Sequence, residues 1–162
     1  IKSSSTGRVL DAAAFALGIC FENSYDGECP MKLESVAAPT KLSIEPRIVS
    51  SNGGPQLDTE DLLLRLLELK KQGHKRSHLA TAVQQAVGRG LARIAVQAAD
   101  HHGLKQVGFS GGVALNRIIT GAIAAELKLH GLEPLLQDSI PPGDGGISVG
   151  QIAVAVSKLN DW

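Results

Sequence analysis

Apolar positions recur at helical spacing along most of this chain. Val9, Leu10, Ala13, Ala14 and Leu17 form one stripe and predict a helix over about residues 7–21, with Ser4, Ser5 and Thr6 offering capping oxygens. Pro30 can open a second short helix carrying Met31, Leu33, Glu34 and Val36. "PRIVSSNGGPQ" reads as a brief strand followed by a loop. Asp58 or Thr59 caps a helix over about 59–72, ended by Gly73. A longer helix, about 76–102, carries Leu79, Val83, Val87, Leu91, Ile94 and Ala98 near helical spacing. Gly88 and Gly90 interrupt it, each costing about 1 kcal/mol against alanine unless a neighbour packs closely there. The pattern then shortens to strand, turn, helix: "KQVGFS", Gly111-Gly112, and a helix over about 113–130 stopped by Gly131. Strand "EPLLQ" and the stiff loop "DSIPPGDGG" follow. The last helix, about 146–159, is apolar nearly all round and should be buried between other layers. The whole is a helix-rich α/β pattern without internal repeat or long linker.

Composition narrows the function classes. At 162 residues and 43% hydrophobic, the chain suits one domain, or one lobe of a larger one, with a real core. Sixteen basic and sixteen acidic residues cancel, and aromatics are scarce, which argues against nucleic acid as the direct ligand. No stretch reaches a membrane span and no signal peptide is visible. Cys20 and Cys29 make no disulfide framework and fit no zinc spacing, so reduced thiols in a cytoplasmic protein are expected. The chain opens at Ile1 without a methionine, as a segment of a longer chain would.

Three places invite chemistry, and each has a plain structural reading beside it. Gly111 and Gly112 sit at a strand-to-helix turn, where free N–H groups and a bare backbone admit a flat ligand or a phosphate; the alternative is a tight turn. Asn116 falls on the first turn of the following helix, where its amide could donate and accept. Asp144 is held between Gly143 and Gly145 after two prolines, suited to a cation carrying phosphates or to plain N-capping. Asp11 interrupts an apolar run, either paired with Arg8 or facing a cleft, and Glu34 is equally ambiguous. His101 and His102 are adjacent and do not face one way. A Walker A loop and a strand-to-helix Gly-x-Gly-x-x-Gly are both absent from the sequence.

Four stretches taken in order, "SSSTGRVLDAAAFALGI", "SYDGECPMKLESVAA", "FSGGVALNRIIT" and "IPPGDGGISVGQIAVA", resemble the end of the HypF carbamoyltransferases of hydrogenase maturation. The likeness reaches nearly the whole chain and is weakest over about 40–75; the TsaD-type enzymes of tRNA threonylcarbamoylation share it more loosely. It implies that residues 1–162 form a single α/β unit, the helix-rich second lobe of an actin-like (ASKHA, RNase H-like) nucleotide-binding fold. It implies ATP or carbamoyl-adenylate as ligand and a divalent metal ion, Mg or Fe. The implied partners are a HypE-like acceptor, whose C-terminal cysteine receives the carbamoyl group, and a first lobe with upstream HypF domains. By the same resemblance Asp11 meets the ribose hydroxyls, Gly27 belongs to the nucleotide-facing turn and Glu34 to the helix after it. Gly111, Gly112 and Asn116 match the adenosine motif, and Asp144 the metal-ligating aspartate. No catalytic residue is implied within the chain, since the nucleophile is the partner's thiolate. The family's His-x-x-x-His pair is missing from its place before Asp11, although His74 and His78 have that spacing, so the chain alone is expected to be an incomplete, inactive site. The alternatives are a TsaD-type transferase, a non-catalytic nucleotide-binding lobe and a sugar-kinase-like ATPase of the same fold.

Overall fold

The computed structural model describes residues 5–51 and 53–160; Ser4, a candidate cap, and Asn52, in the expected loop, lie outside the described residues. Among the described residues six helices and four short strands follow one another: α1 Thr6–Ala16, α2 Glu28–Ser35, β1 Ile48–Ser51, β2 Gly54–Leu57, α3 Thr59–Lys71, α4 Arg76–His102, β3 Gln106–Phe109, α5 Arg117–Leu129, β4 Glu133–Leu136 and α6 Ile147–Asn160. Short 3-10 helices, Gly112–Leu115 and Asp144–Gly146, precede α5 and α6.

The 27-residue α4 is the axis of the fold. Its stripe of Leu79, Val83, Ala86 and Val87 is buried, and α1, α2, α3 and α5 all pack around it. Leu10, Ala13, Leu17, Leu33, Leu62, Leu66, Ile119 and Leu127 complete one aliphatic core. Both glycines inside α4 have a packing reason. A β-carbon at Gly88 would fall 2.7 Å from the Ile119 carbonyl oxygen and 2.8 Å from the Ala122 β-carbon, and one at Gly90 would fall 2.8 Å from Leu57 Cδ1. The helix gives up propensity at these points so that α5 and β2 can approach closely.

Some expected elements shift. α1 ends at Ala16, not near 21, because Ile19 N–H closes onto the Ala14 carbonyl at 2.9 Å and the chain turns away. α2 opens at Glu28, two residues before Pro30. The supposed loop after β1 contains a second strand, so that β1 and β2 form an antiparallel hairpin with Ile48 opposite Leu57. β3 and β4 pair in parallel, Gln106 opposite Glu133 and Phe109 opposite Leu136, with α5 as their crossover. The last helix overturns its expectation. Residues 147–159 are all exposed, with Ile152 at 65% and Leu159 at 74%. The β4 residues Leu135 and Leu136 are also exposed. Parallel strands and all-apolar helices ordinarily lie under other layers. Among the described residues no helix is long and apolar enough to cross a membrane.

Candidate functional site

The α1–α2 connection shapes the first part of the site. Asp11 stands on α1 with its side chain 17% exposed. Its Oδ1 accepts from Asn23 Nδ2 at 3.2 Å, and Asn23 Oδ1 in turn accepts from the Cys29 backbone N–H at 2.8 Å. The other oxygen, Oδ2, is buried and accepts no hydrogen bond. Arg8 Nη2 lies 3.0 Å from it, within ion-pair distance, but no N–H of that exposed guanidinium is aligned on it as a hydrogen bond. Gly27 precedes α2 at φ +80°, a left-handed conformation that a side chain would strain, with nothing packed above it.

Glu28 holds this connection in shape. Its carboxylate takes Lys32 Nζ at 2.6 Å on one oxygen and the Ser24 N–H and hydroxyl at 2.6 and 2.7 Å on the other. The Lys32 hydrogen bond, then those of Ser24, lower its pKa to about 2 from the ordinary 4.5. A depressed carboxylate pKa stabilises the fold above the unfolded value, and that contribution is lost as pH falls through the folded value. Glu28→Gln should therefore flatten the loss of stability between pH 4.5 and about 2, read by urea unfolding at successive pH values. An unchanged pH profile would contradict the assignment.

Cys20 and Cys29 are bonded to each other, with Cα atoms 5.3 Å apart and both residues buried. This corrects the expectation of reduced thiols: the turn between α1 and α2 brings together two cysteines that no sequence spacing rule paired. The bridge closes the segment that carries Asn23, Gly27 and Glu28.

The second part of the site is at the start of α5. Asn116 is not one turn inside the helix, as its spacing suggested, but its N-cap, because residues 112–115 form the intervening 3-10 helix. It is buried, its Oδ1 accepts from Ile119 N–H at 2.9 Å, and its Nδ2 donates to Gln84 Oε1 at 2.7 Å. Glu34 reaches across from α2, and its Oε1 accepts the Arg117 N–H at 2.8 Å. A carboxylate there caps another free N–H of α5 and meets the positive end of the helix.

The glycine turn and the proline loop form the third part. Gly111 has φ +96°, in the region a side chain rarely adopts, and its N–H donates to the Pro142 carbonyl at 2.7 Å. Ser110 Oγ donates to the same carbonyl at 3.1 Å. Nothing lies within 4 Å above Gly111 or Gly112, so their backbone is open to close approach. This seam brings exposed Asp144 beside the glycine pair, since Gly143 would meet Gly112 Cα at 3.8 Å through a β-carbon. Among the described residues no three His, Cys, Asp or Glu side chains, Asp144 included, are grouped so as to hold a metal ion. One carboxylate offers one or two of the six oxygens that Mg demands, so these residues alone do not fit a divalent ion. A groove of about 640 Å³ lined by Ala37, Ala38, Arg89, Arg117 and Ala125 runs beside α5 without including any of the seven candidate residues. Sequence reasoning missed Asn23 and Gln84. Gln84 had a signal, since it stands four residues after Ala80 and three before Val87 on the apolar stripe.

This helix-rich α/β unit carries an open glycine turn and two half-buried carboxylates, Asp11 and Glu34, and comparison with known proteins makes its class specific. Residues 1–151 match the family described as carbamoyltransferase, Kae1-like domain, second subdomain, and the chain belongs to that family. It is 38% identical over 158 residues to "Probable carbamoyltransferase HypF" of Methanocaldococcus jannaschii, a match covering 96% of this chain and 20% of that protein. A crystal structure of full-length HypF in the phosphate- and nucleotide-bound form superposes with a TM-score of 0.85 at 29% identity, over 96% of this chain and 21% of that one. The HypF crystal structure from T. kodakarensis gives 0.81 at 36% identity, over 98% of this chain and 20% of its own. The chain thus spans about a fifth of the length of these relatives.

Proposed function

We propose that this chain is the second lobe of a cytoplasmic HypF-type carbamoyltransferase and supplies the adenosine-binding half of its site. ATP or carbamoyl-adenylate is the ligand, and the acceptor is the C-terminal cysteine of a HypE-like protein. That thiolate attacks the carbamoyl carbon, the new S–C bond forms, and the C–O bond to the adenylate phosphate breaks with release of AMP. The chain's own residues bind and orient. Asp11 accepts the ribose hydroxyls, the open backbone at Gly111 and Gly112 receives the flat base, and Asn116, Glu34 and Gly27 frame the pocket. Asp144 faces the phosphate side, and a divalent ion there would need its other ligands from outside this chain.

The observation that carries this reading is the buried Asp11 Oδ2 with no hydrogen-bond donor. Arg8 Nη2, 3.0 Å away, offsets the charge of that oxygen, and a ligand hydroxyl would supply the aligned donor it lacks. The solved relative described as nucleotide-bound supports it. So does the exposed apolar surface of α6 and β4, which a first lobe would cover. In the HypF-type enzyme carrying this chain, Asp11→Ala should weaken ATP binding roughly 10- to 100-fold by calorimetry, the scale of a hydrogen bond to a charged group. Unchanged affinity would overturn the assignment.

A further inference from the structure

Gln84 lies within α4 and is fully buried (0% exposed). Its side-chain amide joins three helices. Nε2 donates to the Ala80 carbonyl at 2.8 Å and, at 3.5 Å, to the Leu33 carbonyl at the α2 turn before Glu34. Oε1 accepts from Asn116 Nδ2 at 2.7 Å. Two carbonyls can only accept, so the end of Gln84 facing them has to be its NH2 group. Its oxygen is then left for Asn116, which has to answer with its own NH2. The Asn116 oxygen in turn faces the Ile119 N–H, a group that can only donate. Each amide is held in one orientation by partners that cannot exchange roles, and turning either one would set like groups against each other in a dry core.

We infer that Gln84 is a positioning residue of the ligand site: through the Asn116–Gln84–Ala80/Leu33 relay it fixes the orientation in which the Asn116 amide meets the nucleoside, Nδ2 toward Gln84 and Oδ1 toward the Ile119 N–H. The inference rests on the nucleotide reading above. It explains why a polar side chain occupies the apolar stripe of α4 with no opening to solvent.

The test is a double-mutant cycle read by ATP calorimetry in the HypF-type enzyme carrying this chain, with thermal melting to establish folding. Gln84→Met keeps volume and removes the relay; it should weaken ATP binding about 10-fold when Asn116 is present, and by less than about 2-fold when Asn116→Ala is already in place. A merely structural Gln84 would give equal losses in both backgrounds, which overturns the inference. Asn116→Asp still caps α5 but sets an oxygen against Gln84 Oε1 and breaks the relay, and about 10-fold weaker binding is expected. Wild-type affinity in that variant overturns the positioning role of the relay, whatever the fate of Gln84→Met. Asp11→Ala run in parallel separates the two levels. If it weakens binding while the Gln84 losses are additive, the relay alone has failed. If Asp11→Ala and Gln84→Met both bind as wild type, the nucleotide reading and the relay fail together.

Discussion

Gly88→Val is expected to destabilise the protein by about 3 kcal/mol or more, seen as a fall in melting temperature of roughly 10 °C. The first atom of any side chain there would lie 2.7 Å from the Ile119 carbonyl oxygen, closer than carbon and oxygen tolerate. That oxygen belongs to the α5 backbone, so it cannot rotate aside; the helices must separate. Valine adds two further methyl groups with little rotameric choice in a helix. The propensity gained on replacing glycine, at most about 1 kcal/mol, does not offset this. The effect should extend to the site, because Ile119 is the residue whose N–H Asn116 caps. Differential scanning calorimetry checks it, and a melting temperature at or above wild type would show that α4 and α5 are not in the contact described.

Replacing Cys20 and Cys29 together by serine should cost about 2–3 kcal/mol, the loop-closure scale for a bridge of this span. The separation is nine residues, and the loop it closes holds Asn23 against Asp11. Wild-type protein melted with dithiothreitol should approach the double variant, and without reductant it should retain its higher transition. Thiol titration of the air-equilibrated protein under denaturing conditions should find no free cysteine. Two titratable thiols, with no change of stability on reduction, would contradict the bridge.

Several features were legible in the residues and several were not, for physical reasons. α4 follows its expected limits closely, since a long stripe of apolar residues outweighs its two glycines and Gly103 ends it. α3 begins where its cap said, with Asp58 accepting the Asp61 N–H at 3.0 Å. Strand β2 was hidden because Gly54 and Pro55 read as turn residues, although an edge position tolerates proline. Asn116 was misplaced by one turn because a 3-10 helix and an α-helix look alike in a short apolar run. The Cys20–Cys29 bridge depends on a reversal of the chain that spacing does not encode. For α6 the pattern of apolar residues was read correctly, yet pattern alone does not say what covers it. The candidate residues came from ordered motifs, whereas Asn23 and Gln84, which hold two of them in place, emerge only from contacts between elements.

The central claim is that Asp11 accepts ribose hydroxyls. The most direct measurement compares ATP with 2′,3′-dideoxy-ATP by calorimetry, in the HypF-type enzyme carrying this chain and in its Asp11→Ala variant. The account predicts a preference for ATP of roughly 10- to 100-fold in the wild type and its disappearance in the variant. Equal affinity for both nucleotides in the wild type, or a preference that survives Asp11→Ala, would contradict it.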